Sequence, residues 1–414
     1  MDTTTVTASL TASFGATEWI GWSLVALPLL LGGYAFVLYP ALVWAVARMR
    51  RPFAMPPEPL RDDDWPELSV LIVAYNEEKR LRKTLDHALA TDYPAHKLNV
   101  LVVSDCSSDG TDDLVLNYGD PRVRLFRMPE RSGKPAGENA AGPHLKGDIV
   151  VSIDASILIP RDSLKPLVRA LLDPSVGLAS GRDISIGDEA REGNKAESSY
   201  VGMEMTLRSW ETQVHSIVGA SGCFYANRRH LQMVQLPPEL ARDFAAASVA
   251  RAHGYRAVSV DAATCLVPRT PTLKAELRRK SRTMGRGLAT LLYLRDMMNP
   301  FKYGSYAWMM FSHKLVRWML FPSLLGWVFG PLFLLQSAPY TLVLTLGMLV
   351  GLALARLVIV WPDNKRLPKL VAFPGYIFIS IVAGWRAWLH LLRNEKAAVW
   401  EPTQRPVSDM PSAG

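Results

Sequence analysis

The chain has 414 residues, which is enough for two or three domains of ordinary size. Hydrophobic residues make up 49% and charged residues 20%, a balance that excludes an intrinsically disordered chain and favours apolar spans. Lys and Arg (46) exceed Asp and Glu (38) by eight, which suits an anionic membrane surface or a phosphate-bearing substrate and gives little support to nucleic-acid binding. The three cysteines have no Cys or His partner at zinc spacing, which excludes a disulfide framework and a zinc finger.

An uncharged apolar run near the start of the chain, residues 19–46, predicts a membrane-spanning helix, because it exceeds the about 20 residues that one crossing needs. No basic residue precedes this run, whereas Arg48, Arg50 and Arg51 follow it. This polarity predicts a retained anchor rather than a cleaved signal peptide, with the segment after Arg51 in the cytoplasm. The alternative, a buried helix of a soluble core, would be about ten residues shorter.

Three further apolar runs, residues 315–335, 340–361 and 370–392, predict additional spans. A strict count of crossings then places the C-terminal tail outside. Pro374 and Gly375 interrupt the last run, and Arg386 and His390 lie in its second half, where a charge at mid-depth costs about 2.5–3.5 kcal/mol. We therefore expect the last run to be re-entrant or tilted, with a cytoplasmic tail.

Changes in composition along the chain predict six segments. They are an N-terminal transmembrane anchor (1–50), a Pro-rich linker (51–67), a catalytic domain (68–273), basic amphipathic interfacial helices (274–314), a C-terminal transmembrane region (315–392) and a tail (393–414).

The segment after the linker alternates between apolar and polar stretches. Residues 68–74 predict a buried strand, residues 76–89 a polar helix, and residues 98–103 and 148–153 two further strands. Strand, helix and strand in this order predict an α/β domain with a mostly parallel sheet. Ligands of such sheets bind beyond the carboxyl ends of the strands, so the polar residues at those ends are the candidate site.

All three predicted strands end in acidic sequences, at residues 75–78, 104–112 and 154–156. One carboxylate at a strand end is usually a turn or a helix cap. Three of them at one edge of a sheet would repel each other unless a cation lies between them. Mg²⁺ or Mn²⁺, which joins carboxylates to a diphosphate, would suit this edge and would activate a phosphate-ester leaving group.

The order and spacing of the motifs carry a resemblance to a known family. The motifs are Tyr75-Asn-Glu77, Asp105-x-Ser-x-Asp109-Gly-Thr, Arg131-x-Gly-Lys134, Asp154-Ala-Ser156, Gly219-Ala-Ser-Gly222-Cys223, Arg242-Asp243-Phe, Arg279-x-x-Arg282 and Trp400-Glu-Pro-Thr-x-Arg405. Together they resemble the inverting family 2 glycosyltransferases, and more closely the membrane-integrated branch that includes cellulose, hyaluronan and poly-N-acetylglucosamine synthases. The resemblance spans residues 68–405 and implies a GT-A nucleotide-sugar-binding domain.

The resemblance implies a role for each motif residue. For the donor it implies Tyr75 on the base, Glu77 and Asp109 on the nucleotide, Asp105 on the uracil or ribose, and Lys134, Arg279 and Arg282 on the diphosphate. For the metal it implies Asp154, which would bind Mg²⁺ or Mn²⁺. For the acceptor side it implies Gly222, Cys223, Trp400 and Arg405, with Asp243 as the general base that gives inversion in one displacement.

Four residues depart from the family pattern. Ser156 stands where an aspartate is frequent, and Cys106 replaces a frequent glycine. Arg242 replaces the usual acidic residue before the base, which places a cation next to Asp243 in the sequence. Thr283 stands where a tryptophan would stack on the acceptor sugar, and this departure counts against processive synthesis.

Basic and aromatic residues are interleaved between residues 274 and 317, directly before an apolar run. This arrangement favours helices at the membrane surface over nucleic-acid binding or an ordinary solvated face. Arg279 and Arg282 lie three positions apart, so they share one face of such a helix and could reach the same diphosphate.

The sequence thus predicts an enzyme of the cytoplasmic (inner) membrane, multi-pass, with its catalytic domain in the cytoplasm. It would transfer a sugar from a nucleotide-sugar, expected to be a UDP-sugar, to a growing exopolysaccharide or its precursor. One alternative is a single addition to a lipid-linked acceptor, and another is an inactive homologue that serves as a membrane scaffold. The expected partners are the donor, the acceptor, membrane lipids and other polysaccharide-assembly subunits, without nucleic acid.

Overall fold

A seven-stranded sheet in the order 3-2-1-4-6-5-7 forms the centre of the fold in a computed structural model, which describes residues 15–186, 192–268, 273–361 and 368–393. The strands are β1 (Leu68–Ala74), β2 (Leu98–Ser104), β3 (Val123–Arg127), β4 (Ile149–Asp154), β5 (Val176–Ile186), β6 (Phe224–Arg228) and β7 (Arg256–Pro268). Strand β1 lies between β2 and β4, and all seven of its residues are buried.

The predicted α/β class with a mostly parallel sheet is confirmed. Strand β1 pairs in parallel with β2 and β4, β2 with β3, and β5 with β7, whereas β6 runs antiparallel to β4 and β5. The strands predicted at residues 68–74, 98–103 and 148–153 are present as β1, β2 and β4, whereas β3 was not predicted. Strand β3 is an edge strand whose residues are only partly buried, and it therefore lacks the continuous apolar run of a central strand.

Helices cover the sheet and join its strands. They are α3 (Glu78–Leu89), α4 (Thr111–Leu116), α5 (Lys134–Ala140), α6 (Leu164–Ala170), α7 (Glu192–Val214), α8 (Arg229–Gln232) and α9 (Arg242–Ala252), after the N-terminal α1 (Ala16–Gly33) and α2 (Tyr39–Met49). The main core packs β1, β2 and β4 against the apolar sides of α3 and α6.

The remaining helices belong to the C-terminal third of the chain. They are α10 (Leu273–Tyr293), α11 (Pro300–Tyr303), α12 (Ser305–Met310), a π-helical segment (Phe311–Val316), α13 (Arg317–Ser323), α14 (Gly326–Phe333), α15 (Leu342–Val360) and α16 (Lys369–Leu392).

Two helices among the described residues are long and apolar enough to cross a membrane, Ala16–Met49 and Pro339–Val360. A third span is possible by length and composition if Ser305–Ser323 and Gly326–Phe333, which meet at an angle of 52°, form one crossing. The first and third of the four predicted spans therefore correspond to single helices, while the second is bent.

Helix α16 is continuous through Pro374 and Gly375, so the expected break in the last apolar segment is wrong. A Cβ on Gly375 would lie only 2.5 Å from Cγ2 of Val358, so the glycine allows close packing of α16 against α15. Helix α16 also packs along α10, where the Lys280 ammonium donates a hydrogen bond to the Ser380 hydroxyl at 2.8 Å. The side of the membrane on which the tail lies stays a prediction.

Candidate active site

A cavity of ≈160 Å³ opens at the carboxyl end of β4 and contains the centre of the predicted site. Its lining includes five of the predicted site residues, namely Lys134, Asp154, Gly222, Asp243 and Arg282, together with Arg242 and Thr283, two of the departures from the family pattern. They come from distant parts of the chain and meet here because the strand ends, the loop before β6 and the starts of α5 and α9 converge on one edge of the sheet.

Lys134 and Asp154 form the phosphate side of this cavity. The Lys134 ammonium donates hydrogen bonds to Oδ1 of Asp154 at 2.5 Å and to the Gly222 carbonyl at 3.3 Å. Burial by itself lowers the pKa of Lys134, but the carboxylates of Asp154 and Glu138 outweigh burial and raise it. The side chain is therefore a fixed cation at this end of the cavity, and its contact with a diphosphate stays a prediction.

Asp105 holds the loop that precedes Lys134. Its two carboxylate oxygens accept hydrogen bonds from the backbone N–H groups of Ser132 (2.7 Å) and Gly133 (2.8 Å), and the residue is fully buried. Gly133 has a φ of +89°, a conformation that favours glycine, and it turns the chain into α5. In this structure Asp105 thus positions the loop, and contact with a uracil or ribose remains a prediction.

The other predicted nucleotide-binding residues lie at the ends of β1 and β2. The Arg131 guanidinium lies 3.9 Å from the centre of the Tyr75 ring. The guanidinium therefore covers one face of the ring that was expected to stack on the base. Glu77 is buried and accepts a hydrogen bond from Arg80 at 3.1 Å. Asp109 accepts hydrogen bonds from the backbone N–H groups of Thr111 and Glu78. These contacts organise the strand ends, and the donor-binding roles stay predictions.

Asp243 and Gly222 form the opposite side of the cavity. A Cβ on Gly222 would lie 3.0 Å from Oδ2 of Asp243, so the absence of a side chain there leaves room for this carboxylate. The Ala220 N–H donates a hydrogen bond to the Asp243 carbonyl at 3.2 Å, which ties the acceptor-side loop to the start of α9. Cys223 does not line the cavity, and its side chain packs against the main core.

Arg242 lines the same cavity as Asp243, but its guanidinium binds other groups. Its guanidinium donates hydrogen bonds to the carbonyls of Gln232 and Val234 (3.2 Å for the latter) and to Asn139. Its Nε lies 3.8 Å from Oε2 of Glu138, and both side chains are at most 4% exposed. Burial raises the pKa of Glu138, while Lys134 and Arg242 oppose that increase. The cation that replaces the usual acidic residue is therefore a structural anchor of α9.

The basic helix α10 reaches the cavity with Arg282 and Thr283, and also with Arg286, which the sequence analysis did not assign. The spacing of Arg282 and Arg286, four positions apart on one helix face, was the available signal. Arg286 donates hydrogen bonds to the Pro238 and Glu239 carbonyls, and burial lowers its pKa. Arg279 is partly buried on the same helix but does not line the cavity.

The cavity also contains a tyrosine that the sequence did not predict as a site residue. Tyr225 lines the cavity and is 1% exposed. It lies two positions after Cys223, in the continuation of the acceptor-side motif, but no role was assigned to it. Trp400 and Arg405, which were assigned to the acceptor, lie outside the described residues.

The donor atoms fit a divalent cation only together with a bound diphosphate. Within the described ranges, no group of three or more His, Cys, Asp or Glu side chains could hold a metal ion. Asp154 supplies carboxylate oxygen at the mouth of the cavity, and its side chain is 22% exposed. Mg²⁺ and Mn²⁺ sites of this kind use one or two carboxylates and complete the shell with phosphate oxygens and water. Asp154 fits that role.

The fold and the acidic strand ends define an α/β domain of the GT-A class. The fold matches that of a mannosyltransferase from Pyrobaculum calidifontis, solved in complex with GDP-Man and Mn²⁺, with a TM-score of 0.64, 24% identity, and coverage of 92% of this chain and 99% of that one. Residues 69–231 match the family described as "Glycosyl transferase family 2". Residues 69–231 therefore form a domain of the glycosyl transferase family 2 type.

Curated relatives resemble the chain over part of its length. An N-acetylglucosaminyltransferase of Rhizobium sp. (strain N33) is 31% identical over 160 residues, which are 36% of this chain and 35% of that protein. A dolichyl-phosphate beta-glucosyltransferase of Trichomonas vaginalis is 32% identical over 132 residues, 30% of this chain and 40% of that protein. The chain thus spans about 35% of the length of the first of these relatives and 40% of the second.

Proposed function

We propose that this protein is a membrane-bound, inverting glycosyltransferase that moves a sugar from a nucleotide-sugar, a UDP-sugar by preference, to an acceptor hydroxyl. One observation carries the proposal: a single cavity has a fixed cation and a carboxylate, Lys134 and Asp154, on one side and the free space before Asp243 on the other. This is the arrangement that a one-step displacement at an anomeric carbon requires.

The proposed reaction divides the work between the two sides. Asp243 takes the proton from the acceptor hydroxyl while that oxygen attacks the anomeric carbon from the face opposite the nucleotide. Negative charge then develops on the leaving diphosphate, where Lys134 and Arg282 stabilise it in a partly buried site. A divalent cation held by Asp154 would supply further Lewis-acid stabilisation of the same leaving group.

Two acceptors are consistent with the family, a growing exopolysaccharide (or its precursor) and a lipid-linked acceptor that receives one sugar. The order of the sequence motifs supports the exopolysaccharide as acceptor. The lipid-linked acceptor gains support from Thr283, which lines the cavity where a tryptophan would stack on a polymer. The inactive-scaffold alternative rests on Arg242 and Ser156. The first of these supports is weakened, because the Arg242 guanidinium binds the Gln232 carbonyl and pairs with Glu138.

The test is mass analysis of the products formed by the purified full chain with a panel of nucleotide-sugars, offered with a polysaccharide primer or a polyprenyl-linked acceptor. Asp243→Asn should reduce transfer by about 10²–10⁴-fold while leaving donor binding nearly unchanged. Asp113→Asn, at an exposed position on α4, is the matched control. Transfer by Asp243→Asn within a few-fold of wild type would refute the assigned base, and absence of product with every donor would favour the scaffold.

We further propose that the protein lies in the cytoplasmic membrane with its catalytic domain in the cytoplasm. The basic residues that follow the first apolar helix support this orientation. A single cysteine introduced by Lys79→Cys, in a background without the three native cysteines, should react with a membrane-impermeant thiol reagent only after cell lysis. Labelling in intact cells would place the domain outside.

A further inference from the structure

A second group of buried cations lies behind the acceptor-side loop, outside the cavity described above. It consists of Arg208 on α7, Lys314 in the π-helical segment and Arg317 on α13. Arg208 and Arg317 are 9% and 7% exposed, and Lys314 is partly buried. We call these three residues the cation cluster.

The carboxylates next to the cation cluster bind other groups, although Oε2 of Glu211 is buried and has no hydrogen-bond partner among the described residues. Glu211 accepts hydrogen bonds from the Tyr39 hydroxyl at 2.6 Å and faces a ring nitrogen of His313, also at 2.6 Å. Glu204 accepts a hydrogen bond from Arg317 at 2.8 Å and faces the other ring nitrogen of His313 at 2.9 Å. The nearest approach of Glu204 to Nε of Arg208 is 3.7 Å, which is too long for a hydrogen bond.

Arg208 keeps unused hydrogen-bond donors in this arrangement. Nε and Nη1 of Arg208 are buried and have no hydrogen-bond partner among the residues that the structure describes. The Lys314 ammonium lies 5.4 Å over the Phe244 ring. The Arg208 and Lys314 charges lie close enough to repel each other. A buried charged donor without an acceptor is costly, and a guanidinium and an ammonium together match the oxygens of a phosphate.

The position of the cluster favours a lipid as the source of that phosphate. Lys314 and Arg317 lie within the apolar segment Ser305–Ser323, and the Arg317 guanidinium lies 5.2 Å over the ring of Phe36 in the N-terminal span. Phe311 and Met319, on either side of them in sequence, are 46% and 38% exposed. A lipid tail would therefore meet apolar surface next to the cations.

The cluster also adjoins the acceptor side of the candidate active site. Nζ of Lys314 lies 3.5 Å from the position of a Cβ on Gly219, and the loop continues from there to Gly222 beside Asp243. We propose that Arg208 and Lys314, supported by Arg317, bind the phosphate group of a membrane lipid. If the proposed transferase function holds, on which this step rests, that lipid is the carrier of the acceptor.

The test measures lipid binding without any nucleotide-sugar, by native mass spectrometry of the full chain in a phosphate-free maltoside detergent. The probes are polyprenyl phosphate, polyprenol of the same length and inorganic phosphate. We expect one polyprenyl phosphate per chain, bound at least about tenfold more tightly than either other probe, because a charge-assisted hydrogen bond contributes about 1.5–3 kcal/mol, or a factor of about 10 or more. Equal binding of polyprenol, or equally tight binding of inorganic phosphate, would overturn the proposal whatever the variants show.

Variants locate the site. Arg208→Gln and Lys314→Met should each weaken polyprenyl phosphate binding by about tenfold or more, whereas Lys314→Arg, which keeps the charge, should bind within about threefold of wild type. Lys302→Met, at an exposed position of α11, is the matched control and should bind like wild type. Unchanged binding by folded Arg208→Gln and Lys314→Met would overturn the assignment of the site. Asp243→Asn should bind the lipid normally, so loss of transfer and loss of lipid binding are separate results.

Discussion

Replacing Arg242 by methionine should destabilise the catalytic domain rather than act on the base. The substitution removes the ion pair with Glu138 and the hydrogen bonds to the Gln232 and Val234 carbonyls. Loss of one partner of a buried pair costs about 3–5 kcal/mol, and Lys134 still faces Glu138, so we expect the lower end, about 3 kcal/mol. At about 2–4 °C per kcal/mol for a domain of this size, the thermal midpoint should fall by about 6–12 °C.

The assay is thermal unfolding of the purified full chain in detergent. Arg61→Met, at an exposed surface ion pair with Asp64, should leave the midpoint unchanged. The double variant Glu138→Gln/Arg242→Met should recover part of the loss, because no buried charge then lacks its partner. A variant Arg242→Met with an unchanged midpoint and abolished transfer would show that the arginine acts on Asp243 and would refute the structural role.

Three other expectations can be tested with the same preparations. Gly222→Ala should lower kcat more than it changes donor binding, because the added Cβ would lie 3.0 Å from Oδ2 of Asp243, and wild-type kcat would contradict this geometry. Excess chelator should abolish transfer and Mg²⁺ or Mn²⁺ should restore it, whereas undiminished transfer would mean that basic residues alone balance the diphosphate. Burial raises the pKa of Asp183, so the folded state favours the protonated carboxyl and loses stability as pH rises through the folded-state pKa. Asp183→Asn should therefore flatten the fall of the thermal midpoint above about pH 4. An unchanged slope of midpoint against pH would contradict the raised pKa.

The strands that the sequence predicts are those with the least contact with solvent. Strands β1 and β2 are continuous apolar runs because neighbours cover both their edges and both their faces. Strand β3 at the edge carries Arg124 and Arg127 and is only partly buried, so its sequence has no such run. Strand β7 contains exposed Asp261 and follows a long segment of helix and loop, and its pairing with β5 depends on contacts that no local pattern encodes.

Some residues of the candidate site could be predicted from the sequence, and others could not. Lys134, Asp154 and Asp243 could be predicted because a motif ties each of them to a strand end or a helix start. Tyr225 and Arg286 reach the same cavity through the pairing of β6 with β4 and the packing of α10, and neither contact can be deduced from neighbouring residues. A residue's membership in a motif therefore located the site, while the tertiary fold decided which other side chains complete it.

Arg242 shows why the meaning of a departure from a motif depends on direction as well as on sequence. Consecutive residues of an α-helix point about 100° apart, so the first two residues of α9 face different surroundings although they are neighbours in the chain. Both residues line the cavity, but Arg242 binds the buried Glu138 and the carbonyls after α8, whereas the Asp243 carboxylate lies beside Gly222. A cation that seemed in the sequence to oppose the base instead fixes the helix that presents it. The proposed activity therefore depends on Arg242 through the stability and orientation of α9, and a charge-conserving Arg242→Lys variant, which has fewer donors for the same carbonyls, should lose stability before it loses the chemistry of Asp243.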